Sequence, residues 1–153
     1  MNTHQTRRTA ILFGLGALLA ACSRPDPVPS RLYPGETPEM HALIVQYAAL
    51  LEIPESLIHR VIQRESDYNP QARNGPYYGL MQILPQTAGT MGYRGPASGL
   101  LDAETNLRYA GAYLRGAWLV SGGDEDAAIM WYAKGYYYEA KRLGLLEETG
   151  LRT

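Results

Sequence analysis

The sequence predicts a mainly α domain of about six to seven helices with little or no sheet. Three observations carry this. Apolar residues recur at helical spacing along most of the chain. Start signals (Thr37-Pro38, Pro54, Asp102, Asp124) and stop signals (Asn69-Pro70, Gly92, Gly122-Gly123, Gly135, Gly144) bracket those stretches. No run alternates long enough to make a convincing strand; residues 93–101 are the one place where a small sheet could sit. There is no internal repeat and no second domain, and ~110–130 residues suffice for one core without disulfides.

Residues 1–21 read as a targeting segment, with Arg7-Arg8 ahead of an apolar stretch too short to span a bilayer as a stable helix. Leu19-Ala20-Ala21-Cys22 matches the pattern at which bacteria attach lipid to a cysteine and cut before it. Cys22 is the only cysteine, so no intrachain disulfide can form. Cleavage there removes two Arg and no acid, moving the formal net charge from −1 to −3. That charge speaks against a nucleic-acid partner. Ser23 after the lipidated cysteine favours sorting to the outer membrane of a Gram-negative cell, with the domain in the periplasm. Residues 22–36, with Pro25, Pro27, Pro29 and Pro34, read as an extended tether. The domain occupies 37–153.

Its first helix starts at a Thr37 cap with Pro38 in the first turn, and presents Met40, Leu43, Ile44, Tyr47, Leu50 and Leu51 on one face. The second follows Pro54. Leu57, Ile58, Val61, Ile62 and Glu65 fall on one stripe, with His59, Arg60, Gln63 and Arg64 expected to point elsewhere. A carboxyl on an apolar stripe loses water, which raises its pKa toward the range of a general acid near neutrality. Asn69-Pro70 ends the helix and Asn74-Gly75-Pro76 signals a turn. Gly79 permits close backbone approach, and Gln82 offers donors and an acceptor among apolar Leu80, Met81, Ile83 and Leu84. Helices over 86–91, 103–120, 125–134 and 136–143 follow; Ala110, Gly111, Ala112, Gly116 and Ala117 leave room for a closely packed neighbour.

Glu65-Ser66, Asn69-Pro70, the 79–85 segment with Thr87-Ala88, the 101–106 run and Tyr113-Leu114 together resemble the soluble lytic transglycosylase family of bacterial cell-wall enzymes. The resemblance spans roughly residues 54–135, with its motifs in order. It implies a lysozyme-like helical fold and cleavage of peptidoglycan glycan strands. It implies Glu65 as catalytic acid and base, a sugar cleft formed by Ser66, Tyr78, Gly79, Met81, Gln82 and Leu84, and Tyr132 as the cleft tyrosine. The family's Ala-Tyr-Asn-Ala-Gly reads Trp131-Tyr132-Ala133-Lys134-Gly135 here, with Ala133 in place of Asn. It further implies one-carboxylate chemistry: Glu65 protonates the bond between N-acetylmuramic acid and N-acetylglucosamine, then takes a proton from the muramoyl 6-hydroxyl to close a 1,6-anhydro ring.

Glycosidases ordinarily use two carboxylates. Asp67 should face away from Glu65, Asp102 is explained as a helix cap, Glu104 sits where a helix dipole favours it, and none of these nor Glu139 has a convincing second-acid position. His4, His41, His59 and Cys22 show no ligand spacing, so neither a metal site nor a cofactor is expected. Two other readings stay open: a goose-type lysozyme-like hydrolase, and a non-catalytic glycan-binding scaffold lipoprotein partnering an envelope-spanning machine.

Overall fold

The structure is a computed structural model that describes residues 32–151. The expected targeting segment, Cys22 and the tether up to residue 31 lie outside the described residues. Among the described residues, six α-helices, one 3₁₀ helix and one two-stranded hairpin make up the fold, which is mainly α as expected.

Helix α1 (Pro38–Leu51) begins where the Thr37 hydroxyl accepts the Met40 N–H at 3.2 Å, and buries Met40, Ile44, Tyr47 and Ala48. Helix α2 (Glu55–Glu65) buries the stripe of Leu57, Ile58, Val61 and Ile62. It also buries His59, which is only 2% exposed and which periodicity alone turned outward. The reason lies in the segment before α1. Tyr33 lies over His59 with ring centroids 4.6 Å apart, and Tyr68 bonds its Nδ1 at 2.7 Å. A second face of α2 is thereby covered by chain outside any periodic element. Glu36 is buried too, accepting the Tyr33 N–H at 2.9 Å. Residues 32–36, read from composition as the end of the tether, therefore pack onto the domain.

The only sheet among the described residues is a hairpin of β1 (Arg73–Asn74) and β2 (Tyr77–Tyr78), with Arg73 opposite Tyr78 and Asn74 opposite Tyr77. It does not fall in 93–101. Gly75, at φ +58, and Pro76, held near −65° by its ring, give the sign pattern of a type II′ two-residue loop, which takes Gly at its first position. Residues Ala97–Leu101 form a 3₁₀ helix instead. Its backbone closes on Tyr93, whose hydroxyl donates to the Pro96 carbonyl at 2.8 Å.

Helix α3 (Pro85–Thr90) leads through that turn to α4 (Ala103–Val120), the longest element, capped by Asp102, which accepts the Thr105 N–H at 2.8 Å. Helix α4 packs against α1, α3, α5 (Glu125–Lys134) and α6 (Tyr137–Leu143). Its small residues allow this: a Cβ on Gly111 would lie 2.6 Å from Leu51, and one on Gly116 would collide with the Tyr136 hydroxyl. Among the described residues no helix is long and apolar enough to cross a membrane.

One polar side chain joins α4 to the 79–85 segment. Asn106 is fully buried. Its Oδ1 accepts the Met81 N–H at 2.9 Å, and its Nδ2 donates to the carbonyls of Tyr78 (2.9 Å) and Leu100 (2.8 Å). Gly79, at φ +76, lies so close that any Cβ would strike both the Leu100 carbonyl and the Asn106 amide. Removing that amide strands the Met81 N–H and the Leu100 carbonyl, each costing about 1–3 kcal/mol when buried without a partner, and takes from the Tyr78 carbonyl one of its two donors, the Ile83 N–H remaining. We therefore expect Asn106→Ala to lower unfolding stability by about 3–5 kcal/mol, allowing for partial rehydration. Urea denaturation measures this, and a loss below about 1 kcal/mol would show that the amide does not hold the segment.

Candidate active site

Glu65 is the last residue of α2, and Ser66 follows as its C-cap. The helix ends there because Asp67 and Tyr68 both adopt left-handed backbone conformations, at φ +51 and +63. The Ser66 hydroxyl donates to the Leu80 carbonyl at 2.7 Å, fastening the helix end to the 79–85 segment. Glu65 and Gln82 thus come to the same groove by two anchors, Ser66 on the helix side and Asn106 beneath.

The groove consists of two adjoining cavities of roughly 280 and 330 Å³. Arg64, Glu65 and Asn74 line the first; Ile83, Leu84, Thr87, Tyr113, Lys134 and Gly135 line the second. Tyr77, Gln82, Tyr132 and Ala133 border both. Glu65 is the only carboxylate on either lining. The other acids weighed from the sequence are occupied elsewhere. Asp67 is exposed, and Asp102 caps α4, a bond that holds its carboxyl below the ordinary range. Glu104 bonds Arg108 and the Tyr47 hydroxyl, and Glu139 bonds Arg142.

The Glu65 side chain is 24% exposed, and its Oε1 lies 3.4 Å from Arg64 Nε. Burial raises its pKa above the ordinary carboxylate value, and the Arg64 charge opposes that rise in part. Desolvation dominates because Arg64 is itself half in solvent, where its field is screened.

Gln82 sits at φ +48 on the groove floor. Its Nε2 donates to the carbonyls of Gly79 (2.8 Å) and Ala72 (3.1 Å), which fixes the amide; its Oε1 is buried and has no hydrogen-bond partner among the described residues. Tyr132 donates its hydroxyl to the Met81 carbonyl at 2.8 Å, and its ring packs on Tyr113 with centroids 5.5 Å apart. Burial, reinforced by the nearby Glu65 charge, pushes the Tyr132 phenol well above its ordinary pKa, so it stays a neutral donor.

Of the residues expected along the sugar cleft, Gln82, Leu84 and Tyr132 line the groove. Ser66, Tyr78, Gly79 and Met81 do not. Met81 turns its side chain fully into the core, and its main chain alone serves the site, donating to Asn106 and accepting from Tyr132. Gly79 is a packing position beneath the segment. Tyr78 lies on the far face of its strand, with the Arg73 guanidinium 4.5 Å over its ring. Adjacent strand residues point to opposite faces, so it is Tyr77 that reaches the groove. The turn signal at Asn74-Gly75-Pro76 marks a hairpin but not its register: an Asn74-Gly75 loop would put Arg73 opposite Pro76, whereas the Gly75-Pro76 loop puts Asn74 opposite Tyr77.

Because Glu65 is harder to ionise in the folded state than in the unfolded one, its ionisation works against folding. That cost is absent below the ordinary pKa of 4.5 and grows as pH rises through the elevated folded value. Glu65→Gln should therefore raise the melting temperature at pH 7, with the gain fading as pH falls through the elevated folded value and gone below 4.5. Thermal unfolding monitored by circular dichroism across that range checks this; a gain equal at all pH values would contradict it.

A family model described as "Transglycosylase SLT domain" matches residues 42–144, two thirds of the chain, and covers both the groove and α4.

Proposed function

The chain belongs to the transglycosylase SLT domain family, and from that premise we propose that it cleaves peptidoglycan glycan strands by lytic transglycosylation, with Glu65 as the single acid and base. The domain's membership supports a transglycosylase-type, peptidoglycan-cleaving function. The observation that carries the finer reading is that Glu65 alone supplies a carboxylate to the groove, half-buried and with raised proton affinity.

The reaction needs no second acid if the sugar provides the nucleophiles. Glu65, protonated, gives its proton to the glycosidic oxygen between N-acetylmuramic acid and N-acetylglucosamine as the bond to the anomeric carbon breaks. The muramoyl N-acetyl oxygen bonds to that carbon and stabilises its developing positive charge. Glu65, now a carboxylate, removes the proton of the muramoyl 6-hydroxyl, whose oxygen displaces the acetyl oxygen and closes the 1,6-anhydro ring. The acid is regenerated and no water is consumed. A raised pKa suits the first step, and proximity to Arg64 suits the carboxylate of the second.

Beside Glu65, Gln82 forms part of the groove floor, its amide held by the Gly79 and Ala72 carbonyls and its Oε1 buried. Tyr77 and Tyr132 offer flat faces with polar edges, which match a pyranose ring. Leu84 provides an apolar patch in the second cavity. Ala133 borders both cavities, so the side-chain amide that the family usually carries there is replaced by a methyl group and open space.

Digestion of purified peptidoglycan sacculi tests this. Mass spectrometry should show muropeptides ending in 1,6-anhydro-muramic acid, and Glu65→Gln should lower their release by about 10²–10⁴-fold while keeping its helical circular dichroism. Reducing ends would instead assign a hydrolase, and glycan binding without any product would assign a scaffold.

Lipid attachment at Cys22, placing the domain in the periplasm on the outer membrane, forms the second part of the proposal, supported by the 19–22 pattern and the Pro-rich stretch after it. Radiolabelled fatty acid should be incorporated into the expressed chain and lost in Cys22→Ala, which should move from the membrane to the soluble periplasmic fraction. Equal fractionation of the two would remove the anchor from the reading.

A further inference from the structure

A second cluster of polar side chains shares no residue with the groove. Glu36, from the segment before α1, His41, from the first turns of α1, and His59, from the middle of α2, bring their ligand atoms within 4.8 Å of one another. His41 Nδ1 lies 2.9 Å from Glu36 Oε1, and His59 Nδ1 lies 3.9 Å from the same oxygen. The side chains are enclosed: 1% exposed for Glu36, 3% for His59 and 16% for His41.

We propose that Glu36, His41 and His59 form a binding site for a divalent transition-metal ion of the zinc class, which ties the chain before α1 to α1 and α2. Two imidazoles and one carboxylate are a donor set suited to Zn²⁺, with a fourth position for water or a further oxygen. Donors about 2.1 Å from a tetrahedral ion stand about 3.4 Å apart, and the separations of 2.9 and 3.9 Å bracket that value.

The outer groups also fit. His59 Nε2 lies 3.2 Å from Glu55 Oε1, the carboxylate–imidazole pairing that orients a metal-bound histidine and leaves its Nδ1 lone pair for the ion. The Tyr68 hydroxyl, 2.7 Å from that Nδ1, is the neighbouring oxygen. On binding, the ion takes the His41 Nδ1 lone pair as that ring adopts the tautomer with its proton on Nε2, and the Tyr68 hydroxyl turns its hydrogen away from His59. Spacing along the chain conceals the set, because its three members come from three different elements.

The test uses the full-length chain, stripped with a chelator and then given Zn²⁺ or Co²⁺. The proposal expects one Zn²⁺ retained per chain through gel filtration and the intense visible bands of a tetrahedral Co²⁺ ion. It expects a melting temperature higher by roughly 5–10 °C at 100-fold excess over Kd. His41→Gln, at the rim of the cluster, should lose the retained metal and the Co²⁺ bands. Glu55→Gln, which touches only the outer nitrogen of His59, should weaken Zn²⁺ binding by roughly 10–100-fold. Failure of the stripped wild-type chain to take up Zn²⁺, or retention that is the same in wild type and both variants, overturns the proposal and leaves the three residues as a hydrogen-bonded cluster.

Discussion

The whole groove depends on one buried amide. Asn106 satisfies a donor and two acceptors of the main chain around the 79–85 segment, and no smaller polar side chain offers the same three bonds. It thereby sets the height of that segment above α4. The absence of a side chain at Gly79 is the matching requirement, since the backbone must come close enough for the amide to reach. Gln82 can then hold a left-handed conformation, which a non-glycine residue adopts only when its surroundings impose it. The strain is offset by the two carbonyls that fix its amide.

The second constraint joins this segment to the catalytic candidate. Ser66 bonds Leu80, and Tyr132 of α5 bonds Met81, so three separate elements meet at consecutive residues of one strand of backbone. Glu65 is placed at the rim of that junction rather than within it. Its environment is a balance: apolar α2 neighbours remove water and favour the protonated form, and Arg64 favours the ionised one. The proposed role, in which Glu65 gives and reclaims a proton, is served by such a balance, because one influence favours each form.

The opposite lesson comes from the cluster at Glu36, His41 and His59. There the buried carboxyl group and imidazoles lie where residues 32–36 fold over α2, with Tyr33 stacked near Tyr68 at 6.1 Å. Burial of a carboxylate is costly unless it is matched by donors or a cation. The arrangement places two imidazoles at its side, which links the seating of residues 32–36 to the state of those groups.

Much of this protein was determined by local sequence. Six helices, their caps at Thr37, Asp102 and Asp124, their glycine stops, and the stripe that carries Glu65 all follow from near-neighbour chemistry, because capping and amphipathic spacing act over a few residues. What only the tertiary structure decided is which side chains meet across distance. Met81 turned inward, Tyr77 rather than Tyr78 reached the groove, His59 was covered by residues 32–36, and Asn106 closed three backbone bonds from 25 to 28 residues away on one side and 6 on the other. Such pairings leave no period in the sequence, since their partners are selected by packing, and packing is a property of the folded chain as a whole.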